Sequence, residues 1–381
     1  MHFTPTPEQQ QLAESVQKFL AQNYSFEARK KIVASQEGFS KEVWGKIAEL
    51  GLLSLQVPEA HGGLAPAPVE TLLTLTAFGR ALLVEPYLSS AVVATTAIRE
   101  LGTAAQQETL LPALSSGELV AVLAHFEPRA RYDLEQVACR AERHGTGWRL
   151  DGAKAVVLHA PAAGLLLVSA RTAGGPREQA GISLFAVPAA TAGLTLRSYR
   201  TLDGQCAADL KLDAVQLPAE ALVGLEGGAF AAISSALDQG VAGLCAEAVG
   251  VLQATLDATV DYTKTRKQFA VPIARFQALQ HRMADMLMHV EQSRSMAIYA
   301  ALRAGSADLA ERHKALSAAK VIIGQACRYV GQQAVQLHGG MGVADELWVS
   351  HAFKRLAALE LSLGDTEHHL ERFVALSRAA S

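Results

Sequence analysis

The sequence predicts a mainly α-helical protein with a central β domain. Three observations carry that expectation. Half of the residues are hydrophobic while only 6% are aromatic, with alanine and leucine supplying most of the apolar surface, a mixture that favours packed helices. The hydrophobic period is helical to about residue 118, gives way to short β-rich runs from Leu119 to about Leu225, and is helical again to the C-terminus. The 381 residues suffice for two or three domains with a substantial core.

The first zone, 1–118, reads as an N-terminal helical domain. Thr6 suits an N-cap and Pro7 the first helical turn, and Leu12, Val16, Phe19 and Leu20 then share one face. The N-terminus has no basic segment followed by an apolar core, so no signal peptide is expected. Ser40 opens a second helix whose Val43, Ile47 and Leu50 align before Gly51 stops it. "PVETLLTLTAFGRALL" is apolar nearly all round, as suits a helix enclosed by others.

The middle zone, 119–226, contains "LVAVLAHFE", "WRLDGAKAVVLHA", "GLLLVSAR", "GISLFAVP", "LTLRSY" and "ADLKLDAVQL", with "HGTG" and "LDG" as turn signals. It reads as a compact β-sandwich or barrel. The last zone, 227–381, predicts helices over about 227–265, 275–304, 308–338 and 366–379, with a further segment around 345–358, which together suggest a bundle. The apolar stretch "GVAGLCAEAVGVLQATL" contains Glu247 and follows Asp238, so it reads as a buried helix and not a membrane span.

The formal net charge of −3 gives no electrostatic reason to expect nucleic acid or an anionic membrane as partner. Four scattered cysteines without a C-x-x-C pair argue against a disulfide framework and for a reduced, cytoplasmic setting. Neither G-x-S-x-G nor G-x-G-x-x-G occurs, so nucleophilic serine chemistry and a Rossmann turn have no support.

His338, His351, His368 and His369 lack metal-ligand spacing, and no metal is expected. "HGGMG" admits two readings, a glycine stop for the preceding helix or bare backbone that lets a large planar ligand approach, with Gln336 on the last turn. In "DYTKTRKQFAVPIARFQALQHRMADM" the basic residues Lys264, Arg266 and Lys267 are either a solvated helix face or, with Phe269, a phosphate-pairing and ring-covering element. "AHFEPRARYDL" places acids and arginines at a strand end.

Taken together, the α–β–α order, "YTKTRKQFAVPIARFQALQHRMADM" and "QLHGGMG" resemble the acyl-CoA dehydrogenase family, over the whole chain. "SFEARKKIVASQEGFSKEVWGKIAELGLL", "FGRALLVEPYL", "RYDL" and "LGDTEHHL" narrow the resemblance to the small subunits of bacterial two-component pimeloyl-CoA dehydrogenases. The resemblance implies an N-terminal helical domain, a middle β domain and a C-terminal four-helix bundle, often assembled as a dimer of dimers. It implies FAD held across a subunit contact, with Arg266 at the pyrophosphate, Gln268 and Phe269 around the adenosine half, Gln336, Gly339 and Gly340 lining the cofactor from a partner, and Thr366 and Glu367 near it at the last helix. The implied reaction removes an α proton and a β hydride from an acyl-CoA thioester, giving the trans-2-enoyl product, with an electron-transferring flavoprotein as oxidant.

The chain departs from that pattern where substrate is handled. Leu363 stands at the usual position of the catalytic glutamate, and Gly240 and Val241 at the alternative glutamate and its neighbouring arginine. Phe126 and Tyr132 replace flavin-contacting Thr and Ser, and Val156 and Leu158 replace a flavin-stacking Trp and an N5-contacting Thr. Two readings follow. Either Asp365 or Glu367 is a shifted base, or the chain's own site is silent and it completes the FAD site of an active large subunit. Arg129 and Arg131 are candidates for a CoA phosphate or the distal carboxylate of a dicarboxylyl chain, and steroid side-chain thioesters are an alternative substrate class.

Overall fold

The structure is a computed structural model that describes residues 5–64 and 66–379. The first residues of the N-terminal stretch read above for a signal peptide lie outside the described residues. The helices are α1 (Pro7–Asn23), α2 (Phe26–Ala34), α3 (Lys41–Glu49), α4 (Pro68–Ala81), α5 (Thr95–Leu101), α6 (Ala104–Ser115), α7 (Phe230–Thr265), α8 (Gln277–Arg303), α9 (Leu309–His338), α10 (Trp348–Leu361) and α11 (Thr366–Ala379). Between α6 and α7 run β1 (Ala121–Ala124), β2 (Arg140–His144), β3 (Gly147–Leu158), β4 (Leu165–Arg171), β5 (Ile182–Pro188), β6 (Leu194–Arg200), β7 (Cys206–Leu217) and β8 (Leu222–Val223); β9 (Lys267–Gln268) and β10 (Val271–Pro272) form a hairpin after α7.

Local chemistry sets several boundaries. Thr6 and Gln9 form a reciprocal capping box at α1, and Thr103 and Gln106 repeat it at α6. Ser40 Oγ accepts the Val43 N–H at 3.2 Å and starts α3, while Gly51 follows that helix at φ 72. The helix begun at Ser40 is the third and not the second, because α2 precedes it; α2 buries only Arg29 among its residues, so it carries no apolar stripe to be read. Tyr87–Ala94 adopts π-helical turns before α5.

The contacts divide the chain into two compact units. One comprises residues 31–67 and 84–240 and contains α3, α5, α6 and all of β1 to β8. Its sheet runs β6-β7-β3-β2-β4-β5-β8, with β1 parallel to β4. β2 and β4 are joined by a single register pair, Arg140 with Arg171. The halves on either side of that thin link face each other: Trp148 on β3 meets Phe185 on β5 edge-on at 5.2 Å although the two strands are not paired. This is the sandwich alternative, with β4 buried along its whole length and β6 a half-exposed edge.

The other unit comprises residues 1–30, 68–83 and 241–381. Here α9 is central, packed against α8, α10 and α11, and α4 packs on α1 and α8. The backbones of α4 and α7 touch because neither has a Cβ in the way: one at Gly250 would collide with the Thr76 carbonyl, one at Gly79 with that of Glu247. Glu247 is the acid noted inside the apolar stretch. It accepts a bidentate pair from Arg355 of α10 at 2.7 Å on each oxygen, with both side chains buried. The most apolar window of α7 is 78% buried, so packing accounts for its hydrophobicity.

Candidate functional site

At one end of the bundle unit, α7 and α9 finish side by side. The Tyr262 ring stacks on His338 at 4.3 Å between centroids, and its hydroxyl donates to the His338 carbonyl at 3.4 Å. His338 Nδ1 donates to the Ala334 carbonyl at 2.8 Å, and burial holds the imidazole pKa below its ordinary value, so the ring is neutral. This stack ties the Arg266 segment to the HGGMG turn.

Beyond Thr265 the chain enters the β9–β10 hairpin, whose central residues Phe269 and Ala270 have φ of 52° and 66°. That is the two-residue turn in which Asn-Gly is favoured, so both residues occupy costly left-handed backbone. The turn projects Phe269, 87% exposed, and its ring meets Phe276 edge-on at 6.0 Å. Arg266 and Gln268 are exposed, and the Arg266 guanidinium has no hydrogen bond or ion pair among the described residues. Gln336 is exposed on the last turn of α9. A Cβ at Gly339 or Gly340 would meet nothing within 4 Å, so the backbone there is open. The structure therefore brings Arg266, Gln268, Phe269, Gln336, Gly339 and Gly340 to one end of a single unit. An uncommitted guanidinium, an exposed ring and bare backbone fit a phosphorylated planar group such as FAD.

Thr366 lies elsewhere on the same unit. Gly324 of α9 makes room for its hydroxyl, and Gly324 is 14 residues before His338, about 20 Å along the helix. Thr366 N and Oγ1 donate to Glu360 Oε1 at 3.1 and 2.9 Å, and Arg328 donates to the same oxygen at 2.6 Å. Asp365 is the N-cap of α11, its Oδ1 accepting the His368 N–H at 2.8 Å. Glu367 is exposed in the first turn of α11.

Leu363 sits in left-handed backbone at φ 55, followed by Gly364 at φ 111. His369 Nε2 donates to the Leu363 carbonyl at 3.0 Å while its Nδ1 accepts from Ser317 Oγ at 3.3 Å. Buried Lys320 caps the end of α10 by donating to the Leu359 and Glu360 carbonyls at 2.7 and 3.1 Å. Burial lowers the Lys320 pKa, and burial with the nearby Lys320 charge pushes His369 down to about 3. Lys320, Glu360 and Arg328 escape a motif search, where the only signal is a lysine in the largely apolar "SAAKVIIG"; His369 is legible in the sequence only as one of four histidines without metal-ligand spacing.

In the β unit, the loop after β1 is organised by a buried ion pair. Lys154 Nζ lies 2.7 Å from Glu127 Oε1 and also donates to Ser169 Oγ at 3.0 Å and the His125 carbonyl at 3.2 Å. Glu127 in turn accepts the Ala138 and Cys139 N–H groups at 2.7 and 3.0 Å. His125 Nδ1 accepts from Ser169 at 2.9 Å and Nε2 donates to the Leu134 carbonyl at 3.0 Å; burial and Lys154 push its pKa down to about 3. Arg129 and Arg131 are exposed on this loop. Val156 sits at φ 51 where the β3–β7 register shifts, and its side chain is 56% exposed.

The four singled-out histidines are packing elements. His351 accepts from the buried Arg29 guanidinium at Nδ1 (3.2 Å) and donates from Nε2 to the Asp345 carbonyl at 2.8 Å, and His368 lies edge-on to His369. Among the described residues no group of three His, Cys, Asp or Glu side chains is placed to hold a metal ion.

Comparison with known proteins matches residues 6–118, 123–215 and 227–375 to the acyl-CoA dehydrogenase N-terminal, middle and C-terminal domains. The chain is 30% identical to a probable acyl-CoA dehydrogenase, YngJ, of Bacillus subtilis (strain 168), covering 96% of this chain and 97% of that protein. Among solved structures it resembles a variant of the Tcur3481-Tcur3483 steroid ACAD, with a TM-score of 0.87 and 30% identity over 98% of this chain and 99% of the other. It also resembles the ChsE4-ChsE5 complex from Mycobacterium tuberculosis, with a TM-score of 0.88 and 26% identity over the full length of both chains.

Proposed function

The chain belongs to the acyl-CoA dehydrogenase family, and from that premise we propose that it is the catalytically silent subunit of a heteromeric acyl-CoA dehydrogenase, completing the FAD site of an active partner. The family's reaction is the dehydrogenation of an acyl-CoA, and FAD is the cofactor. When bound, FAD supplies the hydride acceptor. Arg266 is the residue for its pyrophosphate, Gln268 and Phe269 for the adenosine half, and Gln336, Gly339 and Gly340 for the face offered by a neighbouring chain.

One observation carries the silent reading. The turn where a base belongs presents Leu363, the Asp365 carboxylate beside it is occupied in capping α11, and the Thr366 hydroxyl is bound by Glu360. The cofactor-facing end, by contrast, has its cation uncommitted and its backbone open. Exposed Glu367 keeps a shifted-base reading available, in which this chain dehydrogenates substrate itself. Its likeness to the ChsE4-ChsE5 complex and to the Tcur3481-Tcur3483 steroid ACAD supports a heteromer. The steroid ACAD neighbour supports steroid thioesters as substrates, and the resemblance to pimeloyl-CoA dehydrogenase small subunits supports dicarboxylyl thioesters. An electron-transferring flavoprotein as oxidant and a cytoplasmic setting complete the reading; the four cysteines are buried and unpaired.

Co-expression with the neighbouring large subunit tests the assignment. Expected are one FAD per pair and turnover with an artificial electron acceptor that is unchanged by Asp365→Asn or Glu367→Gln. Because Asn caps helices as well as Asp, stability should move by less than about 0.5 kcal/mol. Full activity of the lone chain, abolished by either substitution, refutes the silent reading and establishes the shifted base.

A further inference from the structure

We infer that His338 is a cofactor contact whose Nε2 accepts a hydrogen bond from a donor on the adenosine half of FAD, either the 6-amino group of adenine or a ribose hydroxyl. The inference deepens the proposed role of this end of the bundle in a partner's FAD site and rests on it. Hydrogen bonding is the first ground. The other three buried histidines each use both ring nitrogens. His125 pairs with Ser169 and Leu134, His159 with Ser89 Oγ at 2.8 Å and the Val84 carbonyl at 3.0 Å, and His369 with Ser317 and Leu363. His338 is only 4% exposed, yet Nδ1 alone has a partner. Its Nε2 makes no hydrogen bond or ion pair among the described residues.

A polar atom of a buried side chain that lacks a partner is rare, and it calls for a group from outside the chain. The tautomer decides which kind of group. The Ala334 carbonyl, 2.8 Å from Nδ1, can only accept, so the ring proton sits on Nδ1 and Nε2 carries a lone pair. Burial holds the imidazole below its ordinary pKa, which keeps that lone pair free at neutral pH. The oxygens of a pyrophosphate bring no proton, so they stay with Arg266. Amino and hydroxyl groups bring one.

Position is the second ground. Nδ1 reaches back one turn along α9, and because the two ring nitrogens diverge, Nε2 faces away from that turn. It is not one of the unpartnered atoms sealed from solvent, so a ligand can reach it. Immediately after His338 the chain leaves the helix: Gly339, at φ 61 and ψ −145, donates to the Gln336 carbonyl and begins the open backbone. Tyr262 stacks on one face of the imidazole and donates to the His338 carbonyl, which fixes the ring plane without using Nε2. The exposed Phe269 ring offers a face to a purine at the same end. Arg266, Phe269 and His338 thus divide a dinucleotide by its chemistry: a cation for the pyrophosphate, a ring for the base plane, a lone pair for a donor on base or sugar.

The test uses the FAD-free assembly with the large subunit, as wild type and with His338→Phe, which keeps a ring to stack on Tyr262 and removes the lone pair. Each is titrated calorimetrically with FAD, with flavin hypoxanthine dinucleotide, which lacks the 6-amino group, and with FAD analogues lacking the 2′- or the 3′-hydroxyl of the adenosine ribose. FAD should bind the variant about fivefold to fiftyfold more weakly. On the wild type one analogue should show a similar loss, and the variant should not distinguish that analogue from FAD; its identity names the donor. The unfolding transition of the FAD-free variant shows whether it is folded, and the wild-type titrations stand without it. Equal FAD affinity in a folded variant and the wild type, or a wild type that binds every analogue as tightly as FAD, overturns the contact while leaving the reading of this end as a cofactor site intact. A wild-type assembly that takes up no FAD overturns both.

Discussion

Acidification from pH 7 to pH 5 should destabilise this protein through two buried histidines that support the two turns of interest. His125 donates to the Leu134 carbonyl beneath the Arg129–Arg131 loop, and His369 to the Leu363 carbonyl at the turn before α11. Each uses Nδ1 to accept from a serine hydroxyl, so each must be neutral. Their pKa values fall from an ordinary 6.5 to about 3. A depressed folded-state value means that the unfolded chain binds the proton more readily. The stability is therefore complete above about pH 6.5 and is lost progressively as pH falls towards 3.

Between pH 7 and pH 5 each histidine contributes a loss of roughly 2 kcal/mol, about 4 kcal/mol for the two. His338 and His351, also lowered by burial, act in the same direction. Carboxylates held low by their partners, such as Asp345 and Glu360, add their effect only below about pH 4.5, so the window isolates the histidines. Urea unfolding followed by circular dichroism at half-unit pH steps reads the slope directly. His125→Asn and His369→Asn should each flatten it. A stability level from pH 7 to pH 5, or a slope that neither substitution alters, would refute the reasoning.

Two further outcomes follow from packing. Gly250→Ala should cost about 1–3 kcal/mol in urea unfolding, because its methyl meets the Thr76 carbonyl; Gly305→Ala, with open space around it, should be close to neutral. Glu247→Gln should cost about 3–5 kcal/mol by removing the charge that the buried Arg355 guanidinium pairs with, whereas Glu247→Met combined with Arg355→Met should recover most of that loss.

What the sequence disclosed tracks the range of the forces involved. Caps at Thr6 and Ser40 are contacts across three residues, so they read directly. The long helices α7, α8 and α9 have sustained periods, and their ends fall within a few residues of expectation, while α10 begins at Trp348, three residues after the start expected for it. β2 was invisible because only Ala141 of its five residues is buried, leaving no apolar alternation to detect. Arg266 and Gln336 were legible as a cation and an amide at helix ends. That Tyr262 and His338 stack to bring those ends together was not, since the pairing spans 76 residues. The occupation of Asp365 as a cap and of Thr366 by Glu360 is likewise a tertiary fact that spacing does not encode.

The flavin content of the native assembly tests the central claim most directly. The chain co-purified with its large subunit should be yellow and release one FAD per pair. Arg266→Ala in this chain alone should weaken that FAD about tenfold to a hundredfold, without shifting the unfolding midpoint of the flavin-free protein. A colourless assembly that takes up no FAD, or one whose FAD affinity ignores Arg266, would contradict the account.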